Sequence, residues 1–155
     1  MMGRVMLTLA AWLLASAANA EVKPFTADSV NAVQQQWDGE PYLVVLWSID
    51  CPPCHKELET LGGLLQDNPN LAVTLVSTDQ DLPEAQVMET LARYKIESAD
   101  NWRFADPVPA RLRQAIDPSW YGELPRSYFV SANGERKGRS GLLSEEAIRG
   151  WLQID

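Results

Sequence analysis

The sequence is poor in the residues that bind metals and nucleic acids. It contains two cysteines and one histidine among 155 residues, whereas a structural zinc site needs four ligands. Lysine and arginine together number 13 against 21 acidic residues, which gives a net charge of -8. A chain with so little basic charge has no general field for holding phosphate backbones, so we expect no nucleic-acid partner.

Internal repeats, low-complexity tracts and long linkers are also absent. The 46% hydrophobic and 22% charged residues are typical of a globular protein and argue against disorder. A chain of 155 residues is long enough to bury a core without stabilising disulfides, and it fits a single domain.

Residues 1–20 have the organisation of a secretory signal peptide. Arg4 precedes an apolar run over residues 5–18, and Ala18-Asn19-Ala20 supplies the small residues of a cleavage site. We expect residues 21–155 to form the mature domain in the periplasm, an oxidising compartment where a cysteine pair can change redox state. An uncleaved membrane anchor is the alternative, although the apolar run is shorter than the ~20 residues of a spanning helix.

The hydrophobic pattern predicts an α/β domain. Residues 42–47 and 71–76 read as buried strands, and an amphipathic helix over residues 54–66 joins them in a βαβ unit. Other segments predict helices over residues 26–37, 83–94, 110–116 and from Ser144 onward, and strands over residues 102–104, 126–131 and 135–140. Asn133-Gly134 predicts a hairpin turn. Trp120 and Tyr121 either pack in the core or line a recognition surface.

One motif carries chemistry, Cys51-Pro52-Pro53-Cys54, between a predicted strand and a predicted helix. This spacing lets both sulfurs meet at the first turn of the helix, where the dipole and free N–H groups stabilise a thiolate. A thiolate attacks disulfides, and a second thiol nearby resolves the mixed disulfide. We therefore predict that Cys51 is the nucleophile and Cys54 the resolving residue.

Three other interpretations of this motif were weighed. A structural disulfide across two residues would add little stability because the closed loop is short. A zinc site lacks ligands. The serious alternative is that Cys51-Pro-Pro-Cys54-His55 attaches a c-type haem in a small electron carrier, with Met88 as a possible second axial ligand. The buried strand directly before the motif argues against a haem pocket.

At these residues the chain resembles the thioredoxin superfamily, and within it the exported TlpA/ResA-like thiol–disulfide oxidoreductases. The resemblance covers residues 26–152 and is carried by Leu46-Trp47, Cys51-Pro-Pro-Cys54, Glu57, Gly122-Glu-Leu-Pro125, Tyr128-Phe129-Val130, Asn133-Gly134 and Gly141. It implies a thioredoxin-like fold with a mixed central sheet flanked by helices and a C-terminal hairpin plus helix. It also implies client proteins with thiols or disulfides, a membrane-bound electron donor and no cofactor. We expect a monomer.

The resemblance also implies roles for single residues. Pro125 matches the family's cis-proline, which shapes the substrate groove, and we place Leu124 and Trp47 beside it. An ordinary trans turn proline is the alternative. Glu57 matches an acid that manages the proton of Cys54, although a solvated surface acid is the alternative. His55 could favour the Cys51 thiolate or be solvated.

Two residues depart from the family's pattern, and the first of them bears on redox direction. Asp50 precedes Cys51 where an aromatic residue is usual, and its charge opposes a thiolate. Arg126 follows Pro125 where threonine is common. Because Pro52 and Pro53 also lack backbone N–H groups, the Cys51 thiolate loses two possible donors. We therefore expect a reductant, with a reduction potential below about -180 mV, and keep a dithiol oxidase or isomerase as the alternative.

Overall fold

The computed structural model describes residues 21–154, and the predicted signal peptide lies outside the described residues. Six strands and five helices alternate along this part of the chain. In order they are β1 (Val22–Phe25), α1 (Ser29–Gln36), β2 (Tyr42–Trp47), α2 (Pro52–Asp67), β3 (Val73–Ser77), α3 (Glu84–Arg93), β4 (Asp100–Phe104), α4 (Pro109–Ile116), β5 (Arg126–Val130), β6 (Arg136–Ser140) and α5 (Glu145–Leu152).

The strands form one mixed sheet in the order β1-β4-β3-β2-β5-β6. The first four strands of this order are parallel. Along the chain a helix connects β1 to β2, β2 to β3 and β3 to β4, which is the connection that parallel strands require. Strand β5 runs antiparallel to β2, and the hairpin turn at Asn133-Gly134 returns the chain as β6. The predicted α/β class, the mixed sheet and the C-terminal hairpin plus helix are confirmed.

Helices cover both faces of the sheet, so β2 and β3 are buried on both sides. Helices α2, α3 and α5 pack on one face, where Leu58, Leu91 and Ile148 lie in the same core cluster as Val45 and Leu75 of the sheet. Helices α1 and α4 pack on the opposite face through Val33, Leu112 and Ile116, together with Phe25, Leu46 and Tyr128. The core is therefore two apolar layers separated by the sheet.

The helix α3 ends directly against α2. A Cβ atom built on Gly62 would lie 2.1 Å from the backbone oxygen of Tyr94 and 3.6 Å from Ile96, so the absence of a side chain permits this close approach. The chain leaves α3 through Lys95, whose φ of 58° is left-handed, and the Ile96 N–H then bonds the carbonyl of Leu91. The last turn of α3 is thereby fixed beside α2.

Two elements differ from the sequence prediction. Strand β1 is not among the predicted strands, yet it pairs with β4 along its whole length. The sequence predicts a helix from residue 26, whereas α1 begins at Ser29, and the side chain of Asp28 before it makes no cap hydrogen bond. Thr26 lies outside the helix, where its hydroxyl and N–H meet the side chain of Ser29.

The Cys51-to-Cys54 motif lies at one end of the sheet. Strands β2, β3 and β4 finish there, β5 begins there, and β6 returns to it. The Cys51-to-Cys54 motif follows β2 directly, so we call this the Cys51 end of the sheet. Ligands of open α/β sheets bind at the carboxyl ends of the parallel strands.

Candidate active site

Cys51 and Cys54 form a disulfide at the start of α2, with the sulfur atoms 2.04 Å apart. Cys51 is the residue just before the helix, and its Sγ accepts a 3.3 Å hydrogen bond from the backbone N–H of Cys54. Cys51 is partly exposed, whereas Cys54 is fully buried in the core. The pair therefore presents Cys51 to solvent and keeps Cys54 behind it.

Two exposed prolines fill the first two positions of α2. Proline suits this place because its fixed φ is already helical and its missing N–H would have no partner within the helix. Consequently the first N–H that the helix offers comes from Cys54, and it points at the Sγ of Cys51. One backbone donor to this sulfur thus remains after the prolines have removed the others.

Asp79 anchors the loop that carries Cys51. One carboxylate oxygen accepts a 2.7 Å bond from the Ser48 hydroxyl, and the other accepts bonds from the Ile49 N–H at 2.9 Å and the Ser77 hydroxyl at 2.8 Å. The carboxylate therefore ties the end of β3 to the end of β2. Our sequence analysis did not single out Asp79, although an acid just after a buried strand at this end was a signal that could have found it.

His55 is held on both ring nitrogens. Its Nε2 lies 2.7 Å from the carbonyl oxygen of Ile49, and its Nδ1 lies 3.0 Å from the hydroxyl of Tyr94. A carbonyl can only accept, so Nε2 carries the proton in this arrangement, and in the neutral ring Nδ1 accepts from Tyr94. His55 links the Cys51 loop, α2 and the end of α3, and the simple solvated alternative does not describe it.

These contacts do not suit the covalent haem of the alternative interpretation. Two thioether bonds would require both cysteine sulfurs, which here are bonded to each other. An axial histidine needs a free ring nitrogen for iron, whereas both nitrogens of His55 have protein partners. Met88 is partly buried and packs against the core formed by α2, α3 and α5. The residues present therefore do not fit a c-type haem.

Glu57 is fully buried beneath the disulfide, one helical turn beyond Cys54. One carboxylate oxygen accepts a 2.9 Å bond from the Ser127 hydroxyl, and the other accepts a 3.2 Å bond from the Leu143 N–H. Burial raises the pKa of Glu57, and these two hydrogen bonds offset part of that rise. The surface-acid alternative is thus wrong: Glu57 is a core carboxyl shared by α2, β5 and the loop before α5.

Pro125 lies at the same end of the sheet. It directly precedes β5, whose first residue, Arg126, pairs with Leu46 of β2. The Leu124–Pro125 peptide bond is cis, and the Pro125 carbonyl accepts from the Gly141 N–H at 2.9 Å. Leu124 is partly buried and packs against the cores on both faces of the sheet. Sheet pairing therefore brings Leu124 and Pro125 to the strand end from which the Cys51 loop departs.

No protein-family model and no curated protein matches this chain. Solved structures do match it. A thioredoxin-family thiol:disulfide interchange protein from Chlorobium tepidum aligns with a TM-score of 0.62 at 17% identity, covering 77% of this chain and 82% of its own. A secreted Mycobacterium tuberculosis disulfide oxidoreductase homologous to E. coli DsbE gives 0.58 at 16% identity, covering 77% and 84%. StoA from Bacillus subtilis gives 0.55 at 19% identity, covering 74% and 83%.

The chain has the thioredoxin fold. Within this fold, one residue that we predicted to contact substrate lies elsewhere. Trp47, the last residue of β2, is 1% exposed and belongs to the core that contains Cys54 and Leu58. The prediction of substrate contact was wrong because alternation along β2 turns this side chain toward α2, where the helix covers it.

Arg126, the residue after Pro125, is used for internal packing in this thioredoxin fold. Its guanidinium binds Asp117 at 2.8 Å and Ser140 at 2.9 Å, and it lies over the ring of Tyr128. A Cβ atom on Gly138 would come within 2.3 Å of this guanidinium, so glycine in β6 makes room for it. Arg126 thereby joins the loop before Pro125 to the hairpin.

The loop before Pro125 is held by hydrogen bonds to its acidic residue Asp117 and by the indole of Trp120. Burial alone would raise the pKa of Asp117, but hydrogen bonds from Ser119, Arg126 and Tyr128 outweigh it and lower the pKa to about 2. The Trp120 indole N–H donates to the carbonyl of Glu123 at 2.9 Å. The two aromatic neighbours separate here: Trp120 is 4% exposed and Tyr121 is 92% exposed.

Within residues 21–154, no group of three or more histidine, cysteine, aspartate or glutamate side chains is arranged to bind a metal ion. Within the same residues, no helix has both the length and the apolar character needed to span a membrane.

Proposed function

We propose that this protein is a thiol–disulfide oxidoreductase that reduces disulfides of client proteins through Cys51 and Cys54. The single observation that carries the proposal is the asymmetry of the pair: Cys51 is partly exposed at the tip of α2, and Cys54 is fully buried behind it. The solved structures that share this fold bear the names of disulfide oxidoreductases and interchange proteins, which supports the same activity here.

The reaction begins from the dithiol form. The Cys51 thiolate attacks one sulfur of a client disulfide, the client S–S bond breaks, and the other client sulfur leaves as a thiolate. Cys54, once deprotonated, attacks the Sγ of Cys51, which releases the second client thiolate and forms the Cys51–Cys54 disulfide. Two electrons pass to the client, whose two thiolates take up protons. A thiol donor must then reduce the protein again.

We assign to Glu57 the role of taking the proton of Cys54 in the second step. Both residues are fully buried and one helical turn apart on α2, where bulk water does not reach. A carboxyl whose pKa burial has raised is a better proton acceptor than an ordinary surface acid. Pro125 and Leu124 lie at the same strand ends and form the groove in which the client backbone binds.

The direction of transfer that we propose is reduction. Pro52 and Pro53 leave the Sγ of Cys51 with one backbone donor, from Cys54. The exposed acid Asp50 directly precedes Cys51 in the chain. A poorly stabilised thiolate favours the disulfide form of the protein and so makes the dithiol a stronger reductant. Oxidase or isomerase activity is the competing direction.

We place this activity in the periplasm, because residues 1–20 have the pattern of a secretory signal peptide. A reductant in an oxidising compartment needs repeated recharging, which implies a membrane-bound electron donor. We propose that the protein works as a monomer.

The test is reduction of insulin by the mature protein with dithiothreitol as donor, together with the reduction potential measured against glutathione. We expect Cys51→Ser to abolish the acceleration and the potential to lie below about -180 mV. Equal rates of insulin reduction with Cys51→Ser and with the wild type would show that the protein is not a thiol–disulfide oxidoreductase of this kind. A reduction potential above about -180 mV, with insulin reduction retained, would leave the thiol–disulfide exchange activity in place and would indicate that the protein oxidises its clients.

A further inference from the structure

Large apolar side chains are exposed at one end of the sheet. Within residues 21–154 the exposed large hydrophobic residues are Val108, Tyr121 and Leu142, which are 41%, 92% and 45% exposed. Val108 follows β4, Tyr121 precedes β5 and Leu142 follows β6. All three positions are loops at the Cys51 end, because β4 runs parallel to β2 while β5 and β6 alternate in direction.

These side chains flank the disulfide. In the sheet order, β4 and β6 lie on opposite sides of β2, from which the Cys51 loop departs. Four strand spacings of about 4.8 Å place the two outer loops roughly 19 Å apart. An extended peptide of about six residues covers this distance at about 3.3 Å per residue. The surface therefore has the length of a short extended segment centred on Cys51.

The charged side chains of the loops at the Cys51 end are all acidic. These loops span residues 26–28, 48–51, 78–83, 105–108, 117–125 and 141–144, and they contain no lysine, arginine or histidine. Their acids are Asp28, Asp50, Asp79, Asp81, Asp106, Asp117 and Glu123. The elements next to these loops do carry cations, notably Arg126 in β5 and Lys56 in α2.

Several of these acids are already used inside the protein. Asp117 and Glu123 form ion pairs with Arg126, and Asp79 accepts the hydrogen bonds that hold the Cys51 loop. Asp50 and Asp81 differ, since both are exposed and neither makes an ion pair within residues 21–154. They lie in the loops after the neighbouring strands β2 and β3, and their charge is available to a bound molecule.

We propose that the Cys51 end binds extended client segments in which the disulfide cysteine is flanked by lysine or arginine and by large apolar residues. This client preference rests on the proposed function and deepens it. The apolar residues of the client contact Val108, Tyr121 and Leu142. Its cations meet Asp50 and Asp81. A second copy of this chain is a poor occupant, because two Cys51 ends would bring like charges together.

The experiment uses the reduced protein, freed of dithiothreitol, and three peptides. Each peptide has a central cysteine in a mixed disulfide with thionitrobenzoate and one leucine at a fixed place, and they differ in carrying lysine, glutamine or glutamate around the cysteine. Release of thionitrobenzoate in stopped flow gives a second-order rate constant. Each constant is divided by that of the same peptide with dithiothreitol, because neighbouring charges also change the reactivity of the peptide itself.

At low ionic strength we expect the normalised constant of the lysine peptide to exceed that of the glutamate peptide about tenfold, the effect of a few exposed ion pairs. At 0.5 M salt the ratio is expected to fall to about twofold or less, because the Debye length then approaches a few ångströms. Tyr121→Ser is expected to lower all three constants by one common factor, since an apolar contact is indifferent to peptide charge.

A matched pair of charge variants locates the effect. Asp50→Asn with Asp81→Asn removes two charges at the Cys51 end, and Asp38→Asn with Glu40→Gln removes two exposed charges in the loop before β2, at the opposite end. The first double variant is expected to reduce the lysine-to-glutamate ratio at least threefold, and the second to leave it unchanged. Equal ratios in the two variants, or a ratio near one in the wild type, would overturn the client preference.

Failure of the proposed function gives a different result. A reduced protein that reacts with all three peptides at one normalised rate keeps its activity and has no such preference. A reduced protein that releases no thionitrobenzoate from any peptide is not an oxidoreductase of this kind, and the client preference falls with that activity.

Discussion

The hydroxyl of Ser127 donates a 2.9 Å hydrogen bond to the buried carboxylate of Glu57, joining β5 to α2 behind the disulfide. The two residues are 70 positions apart in the chain, and neither is exposed. Ser127 is the second residue after Pro125, so the strand that presents Pro125 at the Cys51 end also holds the carboxyl beneath Cys54. The proposed groove and the proposed proton acceptor are therefore parts of one connected arrangement.

Replacing Glu57 by glutamine should change how stability depends on pH. Burial raises the pKa of Glu57, so the folded protein holds this proton to a higher pH than the unfolded chain does. The free energy of unfolding therefore falls as the pH rises from the ordinary carboxyl pKa through the raised one. Glu57→Gln lacks this decline, because an amide does not ionise in this pH range. The amide can still donate to Ser127 and accept from Leu143. Urea unfolding from pH 4 to 8 should show that the free energy of unfolding of Glu57→Gln, relative to that of the wild type, increases with pH and then levels off. A difference that does not change with pH would contradict the account.

The same substitution should slow the resolving step. Without a carboxylate to take the Cys54 proton, the mixed disulfide on Cys51 should live roughly 10–100 times longer, the usual effect of losing a general base. Ser127→Ala keeps the carboxylate but removes a hydrogen bond that lowers its pKa. In Ser127→Ala the resolving step should still occur, but the midpoint of its rate as a function of pH should move to higher pH. Quenched-flow trapping of the mixed disulfide measures both, and unchanged lifetimes in Glu57→Gln would rule out the proton role.

Two adjacent glycines of α2 should respond in opposite ways to alanine. A Cβ on Gly62 would lie 2.1 Å from the Tyr94 backbone oxygen, whereas a Cβ on Gly63 meets nothing within 4 Å. Gly62→Ala should lower the free energy of unfolding by about 3 kcal/mol through overpacking, and should also displace the Tyr94 hydroxyl from His55. Gly63→Ala should raise it by about 0.5–1 kcal/mol through helix propensity. Urea unfolding of the two oxidised variants measures both changes. Equal changes in the free energy of unfolding would contradict the close packing of α3 on α2.

Removing the side chain of Asp79 should loosen the loop that carries Cys51. Asp79→Ala leaves the Ser48 hydroxyl, the Ile49 N–H and the Ser77 hydroxyl without their acceptor, at a cost of about 2–4 kcal/mol. The nearby Asp81→Ala removes an exposed acid and should change stability by less than about 0.5 kcal/mol. Hydrogen exchange of the Ile49 amide should quicken in Asp79→Ala alone. An amide that stays protected there would show that another group holds the loop.

The left-handed residue after α3 offers a stabilising change. Lys95 has a φ of 58°, which an L side chain adopts at a cost of about 1 kcal/mol and glycine adopts freely. Lys95→Gly should therefore raise the free energy of unfolding by about that amount. Arg93→Gly, two residues earlier in the last turn of α3, should lower it by about 1 kcal/mol. A loss of stability in Lys95→Gly would show that the Lys95 side chain contributes more than its backbone costs.

The predictable parts of the fold were those with a strong local signal. The apolar run of β2 and the Ser144 cap of α5 both lie where the sequence predicted them. Strand β1 had no such signal: it has four residues, contains Pro24, and pairs with a strand far along the chain. A proline is tolerated there because β1 is an edge strand with one neighbour.

Site residues followed the same rule. The spacing of Cys51 and Cys54 could be read directly, but burial of Glu57 depends on β5 and the loop before α5, which local sequence does not place. Likewise, nothing local distinguishes Trp120 from Tyr121, since the loop geometry buries the first and exposes the second. Trp47 was assigned to the groove by its neighbours in sequence, whereas the sheet face decides where it points.

The most direct test of the account is the intact mass of two single-cysteine variants mixed with a disulfide such as oxidised glutathione. Cys54→Ser retains the partly exposed Cys51 and should gain one glutathione on that residue within minutes. Cys51→Ser retains the buried Cys54 and should stay unmodified over the same time, unless denaturant is added. Faster modification of Cys54 than of Cys51, or no modification of either, would contradict the roles assigned to the pair.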